Sequence, residues 1–511
     1  MISLQNDPGA ILQKSYPIPL RGTWKTLPSH LLPDDVVQDS LNVSLIDGAL
    51  RSRAGLRLLS QTLLDSPALG SFLFTGVTNS KTPLVASSTT IYALAGVTWL
   101  NVSPGVSLHT SLGNFSRFTS IQSGSYVYVL HCNGVDPLWS AQEAVQFAPV
   151  TPYAGSSIPI LTDMCTVAGL IVGIVPPYTV TWCAGLSNTY LSFTNWPALN
   201  QVILADTEDS LVAIRPLGTL GFVCYKEGNI FVGSAQAGPL SAAFGFQHRG
   251  EFEGPGGVNA VVNWNGMHVY MTPSGRVGLF DGTNHQWILD GLWPFLRKDI
   301  DSSRASSIFG AYNYLTSEVY FWYPRLSAPD TVDGMVQINM PYPLAGIQDF
   351  SGFLGRSSFG VSNALSVRLF DGTLQPYVWR SDTYGTYVLD TDTYVDGTVD
   401  FPCSFTTGVF RPVSGTQQLP GGNDIFRGSY EVFATRDSIR GSADVQGLSA
   451  NALETHGSPS AVERIDLTQT RPNEYISFPT AQGKFLGLSI TWQSSSRMEY
   501  KGCDVYARRT G

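Results

Sequence analysis

Three clusters of side chains in this sequence have the residue types that chemistry requires. His248, Arg249, Glu251 and Glu253 fall within HRGEFEGPGG. Carboxylates at i and i+2 of an extended segment share one face about 7 Å apart, within the spacing of inverting glycoside hydrolases. The glycines at 250, 254, 256 and 257 point instead to a solvated loop, which makes these residues candidates for a channel or tip loop. A second stretch, DTDTYVDGTVD, offers Asp390, Asp392, Asp396 and Asp400 as hard oxygen donors for calcium. It does not read as an EF-hand, because counting from Asp392 puts Tyr394 third and Cys403 twelfth. Two aspartate-rich turns flanking a strand account for the same residues. The third cluster, Arg51, Arg53 and Arg57, has extended-strand spacing that suits either contact with a partner or nucleic acid, or plain solubilisation.

Enzyme motifs do not complete these clusters. There is no GxSxG elbow and no HExxH, and Gly483-Lys484 runs into Phe485 where a P-loop needs Ser or Thr. The six cysteines are far apart, without CxxC or zinc spacing, and read as reduced, buried thiols. No resident metal or cofactor is expected. The N-terminus lacks a basic stretch followed by an apolar one, so synthesis in a cytoplasm is expected. The most apolar run, Cys165 to Val175, is too short to span a bilayer and reads as a buried strand.

The elements that must position these residues are strands. In 511 residues there are 51 Gly, 31 Pro and 12% aromatics but only 14% charged residues, a composition of short strands and tight turns. Asp47-Gly48 is a hairpin turn between Val43, Leu45 and Leu50. Further turns are read at Asn133-Gly134, Glu227-Gly228-Asn229, Pro273-Ser274-Gly275 and Thr316-Ser317. LFDGT occurs at 279–283 and again at 369–373, a spacing that fits two propeller blades. Short helices are expected at PDDVVQDSL and within LWPFLRKDIDSSRASSIFGAY, the latter with Leu296 and Ile300 inward. Leu486, Leu488, Ile490 and Trp492 alternate strictly, and a bulge at Gly502 explains a phase shift in the following strand. The expected architecture is all-β: an N-terminal arm and hairpin over 1–65, an irregular β-propeller of about six to eight blades over 66–400, and a C-terminal β-sandwich over 401–511.

The order of these pieces carries a resemblance. LPDDVVQDSLNVSLIDGALRSRAG is followed by TTIYALAGVTWLNVSP, YVYVLHCNGVDPLW, LVAIRPLGTLGFVCYKEGNIFVGS and AYNYLTSEVYFWYP. This resembles the tail nozzle or tail-tube β-propeller proteins of tailed phages, especially short-tailed ones, including the packaged-DNA stabilisation proteins. The matching positions are Asn42, Asp47, Gly48, Arg53 and Gly55, then Tyr92, Trp99, Asn133, Gly134, Pro137, Lys226, Glu227 and Tyr320.

The resemblance implies a non-enzymatic structural protein of the virion tail. It would form a ring of six copies that meets an adaptor or portal-proximal protein, with tail fibres or a spike as further partners. DNA would pass along the ring axis during ejection. The net charge of −9 suits a conduit that must not grip phosphates. In this reading Asn42, Asp47, Gly48, Arg51 and Arg53 form an assembly contact, with the arginines turned toward a neighbour. The alternative is a carbohydrate-binding or carbohydrate-cleaving propeller of a phage particle.

Overall fold

The computed structural model describes residues 11–16, 19–46, 49–103, 108–109, 115–185, 187, 189–236, 244–340, 350–369, 371–409, 426–436, 442–450, 458–459, 463–466, 475–483, 485–496 and 498–509. Among them, seven four-stranded antiparallel sheets follow one another along the chain. Their first strands are Gly70–Thr75, Arg117–Ser123, Asp163–Val167, Leu211–Leu217, Val261–Trp264, Phe309–Asn313 and Val361–Leu365. The first strands of sheets one to four lie beside one another in succession, as do those of sheets five to seven, and the seventh returns to the first. The joint between the fourth and fifth sheets is packed by Val223, Tyr225, Tyr270 and Phe280. The result is a seven-bladed β-propeller, its blades numbered here in chain order of these strands.

Closure comes from the N-terminus. Blade 7 takes three strands from its own region, Val361–Leu365, Tyr377–Arg380 and Thr386–Asp390, and its outer strand is Gly55–Ser60. Pairing the two ends of the ring's chain in one blade joins the circle with backbone hydrogen bonds as well as side-chain packing.

The remaining strands make a sandwich. One sheet runs Val43–Ile46, Ala49–Ser52, Met498–Arg509, Phe426–Arg436, Tyr475–Gly483, and Ile11–Tyr16 also pairs with Met498–Arg509. The other runs Val37–Leu41, Pro402–Thr407, Phe485–Gln493, Ser442–Ala450, Ser458–Pro459, with Glu463–Asp466 also on Ser442–Ala450. Leu486, Leu488, Ile490 and Trp492 lie in the core between the sheets with Leu50, Phe405 and Tyr500. The phase shift expected at Gly502 is present: Phe433 faces Gly502, Ala434 faces Tyr500, and the residue between is bulged.

The first 65 residues therefore do not stand apart as an arm. Of the five strands among their described residues, four belong to the sandwich and the fifth to blade 7. PDDVVQDSL is not helical. Val37–Leu41 is a strand paired with Pro402–Thr407, and burial of Val36 and Val37 outweighs the helix-start signal of Pro33 and the two carboxylates. The apolar run at 165–175 is not one strand but a hairpin, turning at Ala168-Gly169 with both φ positive. The α-helix Trp293–Asp299 forms as expected, with Leu296 and the following Ile300 buried.

The two LFDGT copies are not equivalent in the blades. The first ends the third strand of blade 5, and the second follows the first strand of blade 7. Their common feature is local: Asp281 and Asp371 each accept a hydrogen bond from the backbone N–H two residues on. The repeat is turn chemistry, not blade periodicity.

A chain of residues 66–511 would lack the outer strand of blade 7 and four sandwich strands. We expect it to unfold at a lower denaturant midpoint than the full chain, followed by tryptophan fluorescence. An unchanged midpoint would show that closure by Gly55–Ser60 is dispensable.

Candidate functional site

The short link between Ala49–Ser52 and Gly55–Ser60 passes from the sandwich into the propeller, and Arg53 stands on it. Its side chain is 1% exposed and that of its partner Asp396 is 0% exposed. The guanidinium donates to both Asp396 oxygens, at 3.0 and 2.6 Å, and to the carbonyls of Ala54 and Arg356 at 2.7 and 2.8 Å. Its Nε donates to Asn42 Oδ1 at 3.1 Å, and its plane lies 3.9 Å over the Phe401 ring. A buried ion pair is tolerable only when desolvated charge meets a full set of hydrogen bonds, and this one does. Arg53 was expected to face a neighbouring subunit. It instead fastens the end of blade 6, the segment after blade 7 and the start of the sandwich to one another.

Asn42 is part of the same tie. At φ 55° it turns the chain between two sandwich strands, accepts from Arg53 Nε and Arg356 N, and donates to the Pro402 carbonyl. Arg51 does not face outward either. Its side chain is 16% exposed and lies 3.6 Å from Glu499 on the neighbouring strand. Asp47 and Gly48 lie outside the described residues.

Two of the four calcium donors are engaged by arginines, and Asp400 accepts from Ser495 Oγ at 3.0 Å. Asp396 belongs to Arg53, while Asp390 accepts from Arg57 Nε at 2.5 Å and from the Asp392 backbone N–H at 3.0 Å. Burial acts to raise the Asp390 carboxyl, but these bonds outweigh it and hold the group below the usual carboxylate range. Asp392 points to solvent. No group of three metal-binding side chains converges among the described residues.

The loop cluster is likewise divided. Glu251 ends the outer strand of blade 4 on the surface, opposite Asn229. Glu253 lies beyond the strand and accepts from Ser274 N and Oγ of blade 5 at 2.9 and 2.5 Å. His248 shares a hydrogen bond with Asn229 Oδ1 at 2.8 Å and packs on Phe231. Arg249 Nε is buried without a hydrogen-bond partner. The two carboxylates do not face a common substrate position. The bonds of Glu253 tie blade 4 to blade 5.

Sequence reading missed a buried polar site that lies on the propeller axis. Asp163, fully buried at the start of the inner strand of blade 3, accepts from Arg117 Nε at 3.0 Å, from Arg215 Nη1 and from Ile214 N at 2.9 Å. Arg117 Nη1 also donates to Asn259 Oδ1 at 2.8 Å, and Asn259 Nδ2 donates to the Leu69 carbonyl at 3.2 Å. Asn259 precedes blade 5, while Leu69 and Arg117 begin blades 1 and 2 across the ring. These bonds bridge the axis. Only the placement of Arg117 and Asp163 at strand starts in successive blades hints at this in the sequence.

The sequence matches no family model and no curated protein. Among solved structures, the chain is similar to Raptor from Chaetomium thermophilum, at 8% identity and a TM-score of 0.42 over 66% of this chain and 29% of that one. It is similar to YCF48 from Cyanidioschyzon merolae, at 9% and 0.39 over 66% of this chain and 100% of that one. A third is BBS1N in complex with ARL6DN, at 8% and 0.42 over 67% and 99%. The chain thus spans less than a third of the Raptor chain. Likeness at this level carries no functional argument, and the propeller rests on its own sheet topology.

Two predictions follow from these electrostatics. Arg53→Met or Asp396→Asn leaves a buried partner unpaired and should cost about 3–5 kcal/mol of stability, with strong coupling in the double variant; additive small losses in denaturant titrations would contradict the tie. His131 is fully buried beside Phe118, with both ring nitrogens unpartnered, and burial lowers it from 6.5 to about 3 against the opposing pull of Asp136. The unfolded chain therefore binds the extra proton first. Stability should fall as pH drops below about 6.5 and continue to fall toward 3, and His131→Phe should flatten that limb in pH-dependent unfolding.

Proposed function

We propose that this protein is a structural component of a phage tail, a nozzle or tube subunit that assembles into a ring around a DNA path. The observation that carries the reading is the use made of the charged side chains that the sequence singled out. Arg53 with Asp396, Arg57 with Asp390, Arg51 with Glu499 and Glu253 with Ser274 all join strands or blades to one another. That is the chemistry of a rigid building block. Among the described residues these groups do not converge as a general acid and base would have to.

Conduction in this reading belongs to the assembly. Bonds across the propeller axis leave no room there for a duplex, so DNA would travel through the centre of a ring of whole subunits. A chain of net charge −9 would let phosphate slide past without strong salt-dependent capture. The described residues include no helix long and apolar enough to cross a membrane. The ring, its adaptor or portal-proximal neighbour and its place in the virion tail are parts of the same proposal, supported by the order of sequence motifs.

The deciding experiment is quantitative mass spectrometry of purified particles, joined to electron microscopy of particles carrying a C-terminal tag. About six copies per particle with label on the tail axis is the expected result. Absence from particles, or label only on peripheral fibres, would refute the proposal.

A further inference from the structure

A cleft of about 660 Å³ opens on the propeller face where the inner strands begin, between blades 6, 7 and 1. That volume is in the range of pockets that hold small ligands. Pro67 and Leu69 line it ahead of blade 1, Phe115 ahead of blade 2, and Val361 at the start of blade 7. The 3-10 turn Ser302–Ser307 and the segment 329–332 complete its walls. The carbonyl of Leu69 accepts from Asn259, so the polar plug of the axis borders the cleft.

The walls are fixed before any ligand arrives. A Cβ at Gly256 would stand 2.8 Å from the Ala305 carbonyl oxygen, and one at Gly257 would stand 2.7 Å from that of Ser306. Only glycines let the loop before blade 5 press this closely on the back of the turn. Asp301 caps the turn by accepting from Ser303 N at 3.1 Å, and Arg304 Nη1 donates to the Pro329 carbonyl on the facing wall. A cleft held this way loses little freedom on binding.

Its chemistry selects the ligand. The hydroxyls of Ser306, Ser307, Thr331 and Ser381 make no hydrogen bond to another described residue. Of the two guanidiniums nearby, Arg380 is paired with both oxygens of Asp382 at 2.5 and 2.8 Å, whereas Arg304 donates to the neutral Pro329 carbonyl and keeps its charge. Asp330 adds an exposed acceptor. A phosphate or carboxylate would meet one uncompensated cation, Arg304, offset by the Asp330 carboxylate, so the cleft carries no net positive charge to favour an anion. A polyhydroxylated neutral molecule would find free hydroxyls and a carboxylate at the rim, and the partly exposed apolar surfaces of Phe115 and Pro67 for the C–H face of a ring. We propose that this cleft binds a neutral oligosaccharide. The proposal is independent of the tail reading, since binding is read on the purified full chain.

The test is saturation-transfer NMR and calorimetry on the full chain with maltotriose, cellotriose and triacetylchitotriose, and with sialyllactose and glucose phosphate as anionic comparators. At least one neutral trisaccharide should bind saturably and more tightly than either anion. Ser306→Tyr and Thr331→Trp fill the cleft and should weaken binding at least about tenfold. Asp330→Ala, at an exposed tip that folding does not depend on, should weaken it without moving the unfolding midpoint. No binding by any of the neutral trisaccharides, binding that survives all three substitutions, or preference for an anion would each overturn the proposal.

Discussion

The ion pair of Arg53 with Asp396 is the interaction on which this architecture turns. It is buried where the chain passes from sandwich to propeller near residue 53, and where it returns from propeller to sandwich near residue 400. A propeller and a sandwich joined by two adjacent crossings have a natural hinge between them. Here the hinge position is occupied by a guanidinium whose donors reach both crossings, the end of blade 6 and Asn42. A flexible linker would leave those groups to water. Burial makes their geometry obligatory, because each unmade bond would leave a desolvated polar atom.

The sandwich is also held against blade 6. Asn42 N donates to the Leu354 carbonyl, and Ser44 Oγ and Gln337 Nε2 both donate to the buried Glu318 carboxylate. Desolvation dominates at Glu318 and raises its carboxyl above the ordinary value, despite hydrogen bonds from Thr316, Tyr320, Ser44 and Gln337 that oppose the shift. The outer edge of blade 6 would otherwise be an open strand edge, and it is covered by the protein's own second module. The inner edges are treated in the same way, with Asp163 serving blades 2, 3 and 4 at once. Polar groups in this molecule are used at junctions, and apolar ones fill the spaces between blades.

What could be read from the sequence was local. Turn dipeptides such as Glu227-Gly228 and the alternation from Leu486 to Trp492 specify a hairpin or a strand face within a few residues, and the all-β propeller with a sandwich follows from their repetition. Pairings across the whole chain left no such mark. Arg53 and Asp396 are separated by 343 positions, and three arginines near a turn look like a solvated patch until the strand opposite is known. PDDVVQDSL carries a sound helix-start signal, but Val36 and Val37 are needed in a core whose other half arrives from residues 402–407. The axial site escaped notice because its members are single residues in separate blades, with no spacing to give them away. The hydroxyls of the cleft come from loops that only blade geometry brings together.

The arrangement of the chain also orders its folding. Hairpins within blades 1 to 6 involve neighbours in sequence and meet a small loop-closure cost. The outer strand of blade 7 is made early and must wait for Thr386–Asp390, while Ile11–Tyr16 and Ala49–Ser52 must wait for Met498–Arg509 near the other end. Each of these strands has an open edge until its later partner is made. Charge in and between the first two strands is a defence: Lys14 in Ile11–Tyr16 and Asp39 in Val37–Leu41, with Arg21, Lys25, Asp34 and Asp35 between them, form in the finished fold the ion pairs Lys14–Asp34, Arg21–Asp35 and Lys25–Asp39. Each exposed pair adds little to the stability of the native state. Their larger effect is on the chain that has not yet found its partner, where charge in and beside a strand opposes pairing with another copy. A segment that must be held back until the last strand is made needs such residues more than it needs the strongest possible pairing.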